Sequence, residues 1–174
     1  KQKLSTQMVA RELRYSWFQE LSDIHAYDFV FNAHHADDVL ETFFINLSRG
    51  TGVTGLKGIP AKSGKVLRPL LIFEKKELMA YASRHQISWR EDASNSTDNY
   101  LRNRIRHHIV PAFRNISPDA FRQAISSINQ TADAVDVIKD MTHELKESLF
   151  EHNDALDLYS INLKELNKLN PLSF

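Results

Sequence analysis

The 174-residue chain contains no cysteine. Disulfide frameworks, cysteine-based zinc sites and thiolate catalysis are thereby excluded. Glycine and proline are scarce, at five residues each, and the composition fits neither a collagen-like nor a disordered chain. Neither sign of charge is in excess, because 22 Lys and Arg balance 22 Asp and Glu. A surface coated in positive potential is not available, although a local patch is. Long hydrophobic runs are missing too. The apolar stretches are short pieces such as residues 70–73, LLIF, against the roughly 20 residues that a membrane-spanning helix needs. No secretory-signal pattern opens the chain, so a cytoplasmic protein with no membrane partner is expected. What is present, 42% hydrophobic and 25% charged residues, suits a folded domain with a sizeable core, or one domain and part of a second.

One further absence is local. Between Tyr100 and Pro118 there are four arginines, Arg102, Arg104, Arg106 and Arg114, beside His107 and His108, and no acidic residue. Arginine forks match phosphate oxygens bidentately, and an anion-binding surface is expected there.

The order of elements reads as α/β and then helical. Val9, Leu13, Trp17 and Leu21 recur at steps of four, the apolar stripe of a surface helix. The segment 27–35, YDFVFNAHH, reads as a short strand. A helix beginning at Asp37 or Asp38 follows, with Val39, Leu40, Phe43, Phe44 and Leu47 as a wide apolar face and Gly50 placed for a left-handed cap. The glycine-rich stretch 49–65 is expected to be a mobile connection. Residues 66–73, with Pro69 inside them, read as an edge strand or an extended segment; 74–85 have helical spacing, and 87–89 suggest another strand. Beyond residue 90 come a polar loop containing Asn95, a short helix over 101–109 stopped by Pro111, and a long helix from Ser117-Pro118 toward Phe150. The expected division is 1–98 for the α/β part, 99–152 for a helical segment and 153–174 for the start of a linker or next domain.

The chemistry concentrates in residues 33–41, AHHADDVLE. As a metal cluster the stretch is weak, because adjacent histidines on a strand point to opposite faces and no second ligand group appears. As a strand end feeding a helix N-terminus it lies where open α/β sheets bind ligands. Asp38 is the better candidate for function and Asp37 for capping, although the two can exchange roles. A purely structural reading, caps and packed histidines, stays open at this point. So do a metal-dependent phosphoesterase and a non-catalytic RNA-binding module that uses the arginine helix.

Residues 33–56, AHHADDVLETFFINLSRGTGVTGL, then RPLL at 68–71, then WREDASNSTDNYLRNRIRHHIVP at 89–111 together resemble the bacterial tRNA(Ile)-lysidine synthetases of the PP-loop, or N-type ATP pyrophosphatase, group. The resemblance covers about residues 8–118 and implies a Rossmann-like parallel-sheet domain followed by an all-helical segment. It also implies an ATP-dependent carbon–nitrogen ligase acting on tRNA(Ile) with a CAU anticodon, with ATP, Mg2+ and L-lysine as cofactors and substrates, and is compatible with a homodimer. By the same resemblance Asp38, Asn95 and Arg106 are catalytic, with Asp38 a Mg2+ ligand. Arg14 and His34 face the nucleotide, and Arg102, Asn103 and Arg104 meet the tRNA or the activated base. One motif of the group is missing: SGG-x-D-S, the loop that cradles pyrophosphate. SRGTG at 48–52 follows a helix rather than a strand and is no substitute. The chain is therefore expected to be a fragment that neither binds ATP normally nor catalyses ligation by itself; tight ATP binding in calorimetry would sink that expectation.

Overall fold

A computed structural model of the chain describes residues 6–90, 97, 98, 100–153 and 158–163. Asn95 lies outside the described residues. Helix α1 (Thr6–Ile24) leads to strand β1 (Val30–Phe31), helix α2 (Ala36–Ser48) and the single turn α3 (Val53–Leu56). Strands β2 (Lys62–Ser63) and β3 (Val66–Leu67), a 3-10 turn (Pro69–Ile72) and helix α4 (Lys75–Arg84) follow. The second half holds α5 (Leu101–Arg104), a π turn (Ile105–Ile109), α6 (Val110–Arg114), the long α7 (Ala120–Leu149), and strands β4 (Phe150–Asn153) and β5 (Leu158–Ile161). Among the described residues no helix is long and apolar enough to cross a membrane.

The first sheet has the order β1-β3-β2, with β1 and β3 parallel and β2 antiparallel to β3. The parallel pair requires a crossover, and α2 with α3 supplies it. This bears out an α/β first part but corrects one detail. Residues 66 and 67 form the central strand, and only the following Pro69 leaves the ladder, where it opens the 3-10 turn. Pro69 ends pairing without occupying an edge, because its missing N–H falls two residues past the last ladder residue, Leu67, and beyond Arg68, whose N–H still donates to the Ala61 carbonyl. Residues 87–89 form no strand.

Helix α2 ends in a Schellman cap. Gly50 takes φ +69°, its N–H donates to the Leu47 carbonyl, and the Thr51 N–H reaches back to the Asn46 carbonyl. The glycine-rich connection beyond it is tied to two helices. The Asn46 amide donates to the Gly55 carbonyl at 2.8 Å, and Lys57 pairs with Asp136 of α7 at 3.0 Å. Gly58 sits at φ +68° where a Cβ would stand 2.8 Å from Val39 and 3.0 Å from Ile128. Only glycine permits that approach of the loop between α2 and α7.

The core joins α2 to the second half of the chain. Ala36, Val39, Leu40, Ile105, Val110, Phe121 and Ile128 form one buried cluster, with Phe43, Phe44 and Phe113 packed against it. Ile105 and Val110 are buried while Ile109 is exposed, a spacing of five that an α-helix does not give. The π turn produces it by inserting one residue. It also absorbs Pro111, which therefore does not stop the helix: the chain stays helical from Leu101 to Arg114 because the ladder bond that Pro111 cannot donate falls in the widened turn.

Helix α7 runs as its stripe predicts, with Phe121, Ile128 and Val135 buried. It passes directly into β4, which pairs antiparallel with β5, so the second part is not wholly helical. The stripe of α1 behaves differently. Val9, Leu13 and Trp17 are exposed, and among the described residues of that helix the buried one is Ser22, whose hydroxyl donates to the Tyr27 carbonyl at 2.8 Å.

Candidate active site

Both parallel strands run toward the N-terminus of α2. His34 and His35 lie beyond the two ladder residues of β1, in the connection to α2, so strand alternation does not separate them as expected. His35 is the residue immediately before the helix, in extended conformation. Its N–H donates to Asp38 Oδ2 at 3.0 Å, half of a capping box. The first helical N–H, that of Ala36, is taken by the Phe73 carbonyl. The helix start is thus largely satisfied from within and offers an anion less than its position promises.

The two aspartates have exchanged part of their expected roles. Asp38 caps its own helix through one oxygen, whereas Asp37 reaches to a different one. Asp37 Oδ2 accepts the first N–H of α4, from Lys75, at 2.7 Å, and Oδ1 accepts from Arg114 at 2.9 Å. Arg114 also grips Glu74 at 2.7 Å and lies 3.6 Å over the Phe121 ring. Burial works against the Asp37 charge, but the His35 ring, the Lys75 amide and Arg114 outweigh it and hold its pKa well below the usual carboxylate range. Burial likewise opposes a charged His35; the carboxylates of Asp37, Asp38 and Glu41 overcome that and raise its pKa.

One turn further along α2 stands the residue that sequence reading missed. Glu41 is only 2% exposed, inside the apolar face that Val39, Leu40 and Phe43 define. A buried carboxylate requires partners, and it has them. Arg106, from the π turn, donates through Nε to Oε1 at 2.6 Å and through Nη2 to Oε2 at 2.9 Å, the bidentate fork. Arg106 Nη2 also stands 3.7 Å from Asp38 Oδ1. Arg102 Nε lies 3.7 Å from Glu41, and its Nη2 donates to the Thr42 hydroxyl at 2.9 Å. The hydrogen bond to Glu41 raises the Arg106 pKa further. A signal was present: Glu41 follows Asp38 by three positions, on the same helical face, and interrupts an otherwise apolar stripe.

The structure therefore brings together Asp38, Arg102 and Arg106, and adds Glu41. His34 is half-buried beside them in sequence, its N–H donating to Asn32 Oδ1 at 3.2 Å. Arg14 on α1 and Arg104 on α5 are exposed, and neither is joined to this cluster by a hydrogen bond or ion pair among the described residues. Asn103 is buried and its amide donates to the Thr97 carbonyl at 2.6 Å. The basic run is less open to anions than its sequence implies. Arg102, Arg106 and Arg114 meet acids from α2 and the start of α4, while His107 and His108 meet Asp98 at 2.7 and 2.6 Å.

Among the described residues no three His, Asp or Glu side chains are grouped to hold a metal ion. Asp38 Oδ1, whose one ion pair among the described residues is the 3.7 Å approach of Arg106, fits the more modest demand of Mg2+ that is held chiefly by phosphate oxygens and one carboxylate.

Residues 1–113 match the PP-loop domain. The chain is similar to the tRNA(Ile)-lysidine synthase of Bacteroides thetaiotaomicron, 35% identical over 144 residues that make up 83% of this chain and 34% of that protein. The enzyme of the same name from Porphyromonas gingivalis is 44% identical over 116 residues, covering 66% of this chain and 26% of its own length. That of Chlorobaculum tepidum is 35% identical over 156 residues, 90% of this chain and 46% of its own length. The chain thus spans less than half the length of these curated relatives. With more than half of its residues matched, and with the strand, capped helix and arginine turn in place around Asp38, the chain belongs to the PP-loop domain family.

Proposed function

We propose that this chain is part of an ATP-dependent carbon–nitrogen ligase, a tRNA(Ile)-lysidine synthase, and carries much of its nucleotide-activating centre on an N-type ATP pyrophosphatase frame. The observation that supports the reading most is the Asp38–Arg106–Glu41 cluster at the end of the parallel strands, where Asp38 Oδ1 faces, at 3.7 Å, an arginine anchored on a buried partner. In the proposed reaction O2 of the wobble cytidine in the CAU anticodon attacks the α-phosphorus of ATP and pyrophosphate leaves. The amine of L-lysine then attacks C2 of the adenylated base, AMP departs with the oxygen, and the amine loses a proton.

Glu41 holds the Arg106 guanidinium in one orientation, so that its positive charge is placed before the α-phosphate acquires charge in the transition state. Arg102 stands beside it, tied to Thr42. Asp38 would hold Mg2+, which when bound supplies neutralisation of the phosphate oxygens. Arg14 is assigned to the triphosphate and His34 to the nucleotide. Asn95, Asn103 and Arg104 are assigned to the activated cytidine and the tRNA backbone; in the described conformation Asn103 serves them indirectly, by securing residue 97. Homodimerisation belongs to the same set of proposals.

The test uses a polypeptide of the relatives' length that carries this chain, with ATP, Mg2+, L-lysine and tRNA(Ile). Asp38→Ala should abolish adenylation of the tRNA while leaving tRNA affinity nearly unchanged. An unaltered adenylation rate removes Asp38 from the chemistry, and metal-dependent phosphate release that needs neither ATP nor lysine replaces the ligase by a phosphoesterase.

A further inference from the structure

The π turn has two sides. On its inner side Arg106 grips Glu41, and on its outer side His107 and His108 close on a single carboxylate. Asp98 Oδ1 lies 2.7 Å from His107 Nδ1, and Oδ2 lies 2.6 Å from His108 Nε2. Each ring offers one N–H to one oxygen, whether the ring is neutral or charged. Consecutive side chains on an α-helix diverge by about 100°; the wider π turn reduces that angle, which helps two neighbouring histidines serve one acceptor. A second tie lies one residue before Asp98: the buried Asn103 amide donates to the Thr97 carbonyl at 2.6 Å. The segment that enters α5 is therefore fastened to the helix at Asn103 and again at His107 and His108. This bracket encloses both arginine positions of the candidate site, Arg102 and Arg106.

We propose that Asp98 is a positioning residue for Arg106: by gripping His107 and His108 it keeps the π turn in the register that delivers the Arg106 fork to Glu41, 3.7 Å from Asp38. The bracket acts without touching Glu41 or Asp38, and Asp98 itself is half-exposed. Burial of Ile105 and Val110 and the presence of Pro111 hold the turn from the core side and the chain side, and Asp98 holds it from the solvent side. Its own pKa is lowered, first by the hydrogen bond from His108 and then by that from His107, as expected for a carboxylate caught between two donors. The functional weight of this placement rests on the reading of Arg106 as a site residue; the placement itself does not.

The experiment follows the Arg106 side-chain Nε–H by NMR in the isotopically labelled 174-residue chain, where its bond to buried Glu41 slows exchange with solvent. Asp98→Asn and Asp98→Ala should each accelerate that exchange by roughly tenfold or more, the signature of more frequent local opening, while the bulk melting temperature hardly moves. Asp98→Glu, which keeps two acceptor oxygens, should recover most of the protection. Asp119→Asn, where among the described residues the carboxylate pairs only with the exposed Arg122, should leave the rate unchanged. If neither Asp98→Asn nor Asp98→Ala alters the Arg106 exchange rate, the positioning role is overturned, whatever reaction the protein catalyses. If Arg106→Lys retains full adenylation in the longer polypeptide, the catalytic reading fails while the NMR result on Asp98 stands.

Discussion

Helices α1 and α2 flank the same short strand and treat their side chains in opposite ways. Helix α2 buries a carboxylate, Glu41, among Val39, Leu40 and Phe43, whereas α1 leaves Leu13 and Trp17 more than half exposed. Both carry a clear helical stripe. The difference lies in what stands opposite. Facing α2 are the π turn, α6 and α7, which contribute Ile105, Val110, Phe121 and Ile128 as apolar cover and Arg106 as a charge partner. No comparable set of elements covers the stripe of α1 among the described residues; its neighbours Tyr27, Phe29 and Phe31 on the strand side are exposed as well. Amphipathic spacing thus selects a face, and the hydrophobic stabilisation of that face depends on a second surface removing it from water.

The sharpest way to test this contrast is to remove charge from the covered helix's site. Arg106→Ala removes both hydrogen bonds to the buried Glu41 carboxylate and leaves it the 3.7 Å approach of Arg102, and unfolding by denaturant should show a loss on the order of 3 kcal/mol. A simultaneous Glu41→Leu should recover much of it, because an apolar side chain of similar size needs no partner. Failure of the second change to help would mean that the cost came from lost packing rather than from a stranded charge.

Gly58→Ala should cost about 2 kcal/mol, since a Cβ at φ +68° meets Val39 at 2.8 Å and Ile128 at 3.0 Å. Gly64→Ala, with φ +57° and nothing within 4 Å of the added carbon, should cost less, from backbone strain alone. Equal losses in thermal melts would show that the close approach between α2 and α7 is unimportant.

Acid should separate the Asp37 contribution from the rest. Its folded-state pKa lies below the unfolded value of about 3.9, so its stabilising effect is fully present above about pH 4 and is lost as pH falls through the folded value. The stability gap between the wild-type chain and Asp37→Asn should therefore be widest near neutrality and narrow in strong acid. A gap that widens on acidification contradicts the ion pair with Arg114. The smallest effect belongs to α1: Leu13→Ser should change stability by no more than about 0.5 kcal/mol, and a loss comparable to that of Arg106→Ala would show that the α1 stripe is covered after all.

Much of the candidate site is legible in the sequence. Asp38, Arg102 and Arg106 come together as the motifs implied, and Gly50 caps α2 in the left-handed conformation that its position demands. Glu41 escaped notice because an acid on a helix is ordinarily solvated, and its burial depends on an arginine 65 positions away. The basic run reads as unpaired because no acid neighbours it in sequence, while its acids Glu41, Asp37 and Glu74 arrive from elsewhere in space. The π turn was hidden for a related reason. Pro111 reads locally as a stop, yet the paired burial of Ile105 and Val110 favours a widened turn that lets the helix continue.

By itself the sequence determined the local features of this protein: where helices α2, α4 and α7 run, which glycine ends α2, and which motif block carries the aspartates and arginines. These follow from backbone sterics and from periodicities of a few residues, which act within one segment. Tertiary structure alone decided the rest: that Glu41 is buried, that Asp37 caps α4, that Arg106 faces Asp38, and that Val9, Leu13 and Trp17 of the α1 stripe stand uncovered among the described residues. The first three of those outcomes depend on desolvation and charge pairing between residues far apart in the chain, and such energies exist only once the chain has closed on itself.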